Sequence, residues 1–434
     1  MNRPGACRGD AVACVAASPE EVAEKVLASW LAAALPTAEF IRRGDRTYIH
    51  HAAAPDVEKY ARRALRQVQG NEARARVAAL AYGAVSEWQR LGCGEEAVLS
   101  NARALLDRFC HQETVWKASC GGDSETAAAF ELAVSASLPV WLAEVWLANF
   151  GTSQAHALAT AMLDRAPVVL RANLRKTDRE GLLAFLRADG IECHACRHSP
   201  WGVVVPELRA QRSGGAWSLP GWEDGCFDVQ DEGSQLIAAR CCAEGKRVLD
   251  LCCGVGGKTW ALAAVAAHVD AWDIVPEKRR QVAAGCKRRG CSDVVSVLNF
   301  APTVPCYDVV LVDAPCSSSG VLRRHPSQRW CIGPATLPTA VQRELLHAGY
   351  ALLRPGGILL YATCSLLRAE NEEIVESLQG AVPFPFERLP GLPSSDLQPN
   401  AEKSHMELLL PHTHGTDGFF MSRWKKPVCD HEEE

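Results

Sequence analysis

Between residues 20 and 110 apolar side chains return every three or four positions, as in Val22, Val26, Trp30, then Val57, Tyr60, Ala64, Val68, then Val77, Leu80, Ala84, Trp88. That spacing puts one apolar stripe on each of several helices and predicts a helical first unit. "SCGGDSE" at 119–125 cannot hold a helix and reads as a linker. Between 126 and 215 the pattern mixes: helical "LPVWLAEVWLANFG", strand-like "APVVLRANL", helical "DREGLLAFLRADG" and strand-like "GVVVPEL" predict a small α+β module. "RSGGAWSLPGWEDG" then interrupts both periods. From 225 onward short β-branched runs ("KRVLDLC", "VDAWDIV", "VVSVL", "YDVVLVDAP", "GGILLYATC") alternate with helical stretches such as "TAVQRELLHAGYALL". Such alternation predicts an α/β unit with a parallel, doubly wound sheet. "DGFFMSRW" reads as an added antiparallel strand at one edge, and "LPGLPSSDLQPNAEKSH" as a surface loop. The expected organisation is three units, 1–125, 126–215 and 216–434.

Composition narrows the function without choosing it. At 434 residues the chain can bury several cores. Its net charge of -5 gives no global basic footprint, so a nucleic-acid partner would have to be met by local patches. The 19 cysteines lack the regular spacing of a disulfide scaffold, which favours reduced thiols in a cytoplasmic enzyme. Arg3 and Arg8 before "AVACVAAS" only reach the lower length limit of an export signal. No stretch approaches the roughly 18 to 20 apolar residues of a membrane span, so no membrane partner is expected, and the chain reads as a monomer.

"VLDLCCGVGGKT" (248–259) is a strand, then Gly254, Gly256 and Gly257, then a helix. In a doubly wound sheet, glycines at that place let backbone N–H groups approach a ligand closely. The spacing is neither G-x-G-x-x-G nor that of a phosphate-cradling P-loop. Asp250 lies within the first strand, and Asp273 ends the second. Asp273 can accept from both ribose hydroxyls of a nucleoside cofactor, or cap the helix that begins near Pro276. Adenosylmethionine and a dinucleotide both fit the loop; its missing dinucleotide spacing leans towards the first.

The thiols carry the choice further. Pyrimidine C5 is a poor nucleophile, so its methylation calls for a thiolate adding to C6 and for a base that later removes the C5 proton. Two neighbouring strands ending in Cys316 and Cys364 would supply both thiols beside a methyl donor. "DAPCSSSG", "YATCSLLRAENE" and "DLCCGVGGKT" together resemble the motifs of RNA cytosine-5 methyltransferases, specifically the Sun-type bacterial enzymes that act on small-subunit (16S) ribosomal RNA. The resemblance spans about 165 to 425 and includes "LRANLRKT", "VQDEGSQ", "VLRRHPSQRW" and "DGFFMSRW". It implies a Rossmann-like methyltransferase domain using S-adenosyl-L-methionine, with Cys364 as nucleophile, Cys316 assisting product release and Asp313 hydrogen-bonding the cytosine ring. It places the cofactor at Cys252, Cys253, Gly254, Val255, Gly256, Gly257 and Lys258, at Asp273 and at Asp313. Asn299 stands where the family usually has an adenine-contacting Asp, Val255 where Pro is usual, and Arg329 where Lys is common. The resemblance also implies a NusB-like helical RNA-binding domain over 1–125, carried by "VLSNARALLDRF".

Other readings stay beside this one. Either cysteine alone would be a small buried hydrophobe. An enzyme acting on DNA cytosine would use the Pro-Cys thiol and lack the Thr-Cys one; amino-group methylation would want an aromatic after "DAP". A non-catalytic RNA binder could have tolerated Asn299. "CHAC" (193–196) with His198 is at most half of a four-ligand zinc site, and no metal is expected. "RRHPSQRW" reads as a phosphate-contacting patch, and "KRRQVAAGCKRRG" as an exposed basic helix face.

Overall fold

The computed structural model describes residues 18–34, 39–43, 46–51, 84, 88, 101–105, 125–206, 208, 215–384 and 405–428. The expected linker at 119–125 and the loop at 389–405 lie almost wholly outside them. In the first unit, α1 (Pro19–Ala34) buries Val26 and Trp30, as its periodicity requires. Helical reading fails at β1 (Glu39–Arg43) and β2 (Arg46–His51), an antiparallel pair with Arg43 opposite Arg46. "EFIRR" and "RTYIHH" are β-branched and aromatic runs separated by Gly44-Asp45, a two-residue hairpin signal that outweighed the helical composition around it.

Helices α2 (Glu125–Ser135) and α3 (Val140–Ala161) follow. Together they are apolar enough to resemble a bent membrane pair, yet no single described helix could span a bilayer. Their Leu132, Leu138, Leu142, Trp146 and Leu158 pack on Leu322, Ile332, Leu366 and Leu367 from the last unit. Next come β3 (Val168–Ala172), α4 (Arg179–Ala188), β4 (His194–Ala195), β5 (Gly202–Val205) and β6 (Phe227–Val229), with sheet order β4-β5-β3-β6, all antiparallel. The Gly/Pro-rich stretch is thus an excursion within the module. β6 lies past the boundary expected at 215, because Phe227 belongs to the module's own core.

The last unit runs α5 (Glu232–Arg240), β7 (Arg247–Asp250), α6 (Gly257–Leu262), β8 (His268–Ala271), α7 (Pro276–Arg289), β9 (Val295–Val297), β10 (Tyr307–Asp313), α8 (Thr339–Ala351), β11 (Leu353–Thr363), β12 (Val382–Pro383), β13 (Met406–Leu409) and β14 (Phe419–Lys425). Its sheet has the order β12-β14-β11-β10-β7-β8-β9, with β13 paired on β14. Strands β7 to β11 are parallel. β14 runs antiparallel to β11, and it is not the edge, since β12 and β13 pair on it in turn. "VVLV" (309–312) has no exposed residue because both faces of the sheet are covered. The chain moves outward from β7 through β8 to β9, then returns to start β10 on the other side of β7. That switch point leaves a crevice beyond the carboxyl ends of β7 and β10.

"LRANLRKT" ties the small module to the last unit. Arg171, Arg288 and Arg289 converge on Asp228. Asn173 donates to Arg289 O at 2.9 Å, Arg175 to Gly290 O at 2.6 Å and Lys176 to Arg288 O at 2.7 Å, satisfying the last carbonyls of α7 with cations at its negative end. The carboxyl-terminal part of the expected exposed basic face is therefore an internal joint.

Candidate active site

The loop after β7 is shaped by two glycines with positive φ, Gly254 (+52°) and Gly256 (+96°), the second starting α6. A side chain at Gly256 would meet the Trp260 ring at 2.7 Å. Gly254 N–H donates to Asp273 Oδ2 at 3.0 Å, and Val275 N–H donates to Oδ1 at 2.9 Å. Asp273 thus pins the glycine loop to the end of β8 and caps the turn into α7 as well. Each of its carboxylate oxygens keeps a lone pair for a further donor. Val255, Ile274 and Phe300 are 56%, 78% and 85% exposed on the loops at these strand ends, apolar surface of the kind a ligand covers.

Asp250 is buried, with Oδ2 accepting from Thr259 at 2.7 Å and Oδ1 facing no donor among the described residues. Burial pushes its carboxyl up to about 7. Burial also raises the Cys252 and Cys253 thiols. Asn299 is exposed just past Leu298, whose N–H donates to Ala271 O at 2.9 Å. It lines a cavity of about 490 Å³ shared with Arg247, Asp270 and Tyr307, none of them part of the glycine loop.

Cys316 follows the end of β10 and Cys364 the end of β11, neighbours in register. Their sulfurs lie 3.3 Å apart, within S–H···S distance. Gly320 N–H donates to Cys364 O at 2.9 Å; a side chain there would strike Gly418 O at 2.2 Å, so only glycine lets the two cysteine loops close. The two thiols differ in surroundings. Cys364 Sγ also donates to Ser318 Oγ at 3.4 Å and lies in the opposed fields of Asp313 and Lys258. The contacts with Cys316 first, and then with Ser318, outweigh burial and hold the Cys364 thiol below its ordinary value, while Asp313 raises it and Lys258 lowers it to lesser extents. The same contact with Cys364, and then burial, hold Cys316 well above its own. Lys258 Nζ donates to Asp313 Oδ2 at 2.7 Å. Burial opposes the Lys258 charge, but Asp313 prevails and raises its pKa.

A fully buried carboxylate stitches the two loops. Glu370 Oε1 accepts from Ser317 N–H at 2.8 Å and Gln342 Nε2 at 3.0 Å, and Oε2 accepts from Ser365 Oγ at 2.5 Å. Asn371 accepts from Thr363 Oγ1 at 2.6 Å and donates to Ser365 O at 2.9 Å. Glu370 and Asn371 lie inside "YATCSLLRAENE" without a role that sequence alone assigns; their place six and seven residues after Cys364, at the head of a turn, is the available signal.

Two expectations meet different outcomes. "RRHPSQRW" is not a free phosphate patch: Arg323 and Arg324 pair with Asp417 and Asp231, and fully buried Arg329 donates to Ala136 O, Ser137 O and Met162 O at 3.1, 3.1 and 3.3 Å. In the "CHAC" stretch Cys193 lies in the small module's core, while His198 Nε2 faces His414 O at 3.2 Å.

Comparison with known proteins places this geometry. Residues 240–425 match the 16S rRNA methyltransferase RsmB/F family, and residues 138–209 match the ferredoxin-like domain of RsmF/B-like methyltransferases. Over 358 residues the chain is 33% identical to ribosomal RNA small subunit methyltransferase B of Pseudomonas putida, covering 79% of this chain and 77% of that one. The chain belongs to the RsmB/F methyltransferase family. A second relative, ribosomal RNA small subunit methyltransferase B of Xylella fastidiosa, is 36% identical over 68% of each chain. Among solved structures, a methyltransferase homolog protein from Pyrococcus horikoshii shares the fold (TM-score 0.56, 24% identity, covering 69% of this chain and 99% of that one). In this RsmB/F member the family's two matched regions include the glycine loop, both thiols and the "LRANLRKT" clamp.

Proposed function

We propose that the chain methylates C5 of a cytosine in small-subunit ribosomal RNA, through a covalent bond between Cys364 and C6. The observation that carries this reading is the Cys316–Cys364 pair, 3.3 Å apart at the ends of adjacent strands, with the Ser318 hydroxyl 3.4 Å from the Cys364 sulfur. S-adenosyl-L-methionine is the methyl donor, held by the loop from Cys252 to Lys258 and by Asp273, with Asn299 and Asp313 at the margins. When bound it supplies an electrophilic methyl group on a sulfonium. The exposed apolar residues and the spare lone pairs of Asp273 fit its adenosine part.

The Cys364 thiolate adds to C6, and the displaced electron pair reaches C5, which takes the methyl group. Asp313, accepting from Lys258, hydrogen-bonds the cytosine ring and favours the added, protonated state. Loss of the C5 proton to a base then restores the C5–C6 double bond, and the C6–S bond breaks to return the thiolate. Cys316 assists this release. A cytosine inside a helix could not reach two sulfurs at the bottom of a crevice, so an unpaired or flipped base is required.

The two cysteine variants separate the roles. Cys364→Ala should abolish methylation and form no adduct. Cys316→Ala should make the first bond and release it slowly, accumulating a protein–RNA complex on a denaturing gel. Adduct in Cys364→Ala and none in Cys316→Ala would reverse the assignment in favour of the DNA-type mechanism. Adenosylmethionine affinity measured by calorimetry separates an enzyme from a binder that has lost its pocket.

A further inference from the structure

Ser318 is one of three described non-glycine residues with positive φ (+60°). It sits in the Cys316 loop, in a conformation that glycine adopts freely and a side chain does not. The chain nevertheless places a hydroxyl there, and Ser318 Oγ accepts from the Cys364 thiol at 3.4 Å; once that sulfur loses its proton it can only accept, and the hydroxyl is left as the donor. Ser317 and Ser319 in the same "SSS" run are buried and turned the other way, bonding Ser365 and serving the Glu370 network. Ser318 alone of the three faces the nucleophile, and it is only half-buried.

We propose that Ser318 is a further catalytic residue, whose Oγ–H donates to the Cys364 thiolate and holds it charged and aimed between methylation cycles. This rests on Cys364 being the nucleophile. The donor is needed because Cys316 cannot serve throughout: a thiol that takes part in product release cannot at every step keep its S–H directed at Cys364. A hydroxyl fixed by the αL turn stays in place. It also favours departure, since the sulfur that leaves C6 is received by a waiting donor. Lys258 offers less, being engaged with Asp313 at 2.7 Å. The lowering of the Cys364 thiol, to which the Ser318 contact contributes after that of Cys316, agrees in direction.

The test is site-resolved alkylation. Native protein, Ser318→Ala and Ser318→Gly are treated with iodoacetamide from pH 5 to 10, and modification of Cys364 is followed by peptide mass spectrometry without RNA or cofactor. Loss of a hydrogen bond to a charged group should move the Cys364 profile about one pH unit upward in both variants, roughly a tenfold smaller thiolate fraction near neutrality. The acid limb of the methylation rate should move with it. Ser318→Gly keeps the turn and relieves its strain, so its agreement with Ser318→Ala assigns the effect to the hydroxyl. Unmoved profiles in both, or a shift in Ser318→Ala alone, would overturn the proposal. Failure of the nucleophile assignment has its own signature, adduct formation by Cys364→Ala, and a Ser318-dependent titration would survive it.

Discussion

Asp250 shows how far one side chain can depart from ordinary behaviour in this crevice. Its carboxyl titrates near 7 because burial penalises the charge, while the single Thr259 hydroxyl offsets only part of that penalty. The folded state therefore binds the proton more tightly than the unfolded chain, whose value is 3.8. Stability from this group is whole below that value and is lost as pH rises to about 7, beyond which the penalty is constant. Asp250→Asn keeps an acceptor for Thr259 and carries no charge. Its advantage in chemical denaturation should be absent near pH 4, grow towards pH 7 and level off at about 1 kcal/mol or more; a pH-independent difference would refute the buried charge. Asp250 was visible in the sequence as an acid in a strand, but its isolation depends on what surrounds it. The same holds across the site. Cys316, Cys364, the glycine loop and Asp273 could be singled out as candidates because each lies in a short contiguous motif. Glu370 could not, because its partners Ser317 and Gln342 are brought to it only by the fold.

At the scale of elements, periodicity found the central strands and the long helices, since burial on one face or both leaves a regular trace. It missed β1, β2, β4, β6, β12 and β13, short strands whose identity is decided by partners. β6 illustrates the reason: "FDV" is an unremarkable tripeptide until Asp228 is seen beneath three arginines. Burial raises the Asp228 carboxyl, but the guanidiniums prevail and hold it below its usual value, while burial lowers Arg171 to about 10. Arg171 also donates to Gly257 O at 2.5 Å, so the joint reaches the first residue of α6 and the glycine loop. Asp228→Asn should leave buried cations uncompensated and cost about 3–5 kcal/mol in urea unfolding at neutral pH. A depressed carboxylate contributes above its unfolded value of 3.8 and loses that contribution as pH falls through the lower folded value. The gap between variant and native protein should therefore close in acid; a loss under 1 kcal/mol at neutral pH would show that the arginines find other partners.

For the whole molecule, the question is how the first unit serves a candidate site whose thiols and glycine loop lie in the last. Trp30 stacks edge-on against Trp88 with centroids 4.9 Å apart, and Trp88 against Trp330 at 5.1 Å. All three indoles are fully buried. Trp330 follows Arg329, whose guanidinium grips the carbonyls around the α2–α3 turn. The segment after Cys316 is thus a docking platform for both preceding units, which explains why it does not supply free cations for phosphate. With a net charge of -5 and this patch internally neutralised, we propose that residues 1–125 provide a surface for RNA. Deleting them should lower affinity for small-subunit ribosomal RNA at least tenfold, leave adenosylmethionine binding unchanged and flatten the salt dependence of RNA binding, because fewer phosphates are neutralised. Removal also uncovers Trp330, so a fall in stability is expected regardless of any RNA contact. Trp88→Leu in the full chain controls for this: it loosens the docking while keeping every charge of the first unit, and should lower the melting temperature more than it changes the salt slope. If the truncated protein methylates its site with undiminished efficiency, the first unit is a brace for Trp330 and not an RNA-binding domain.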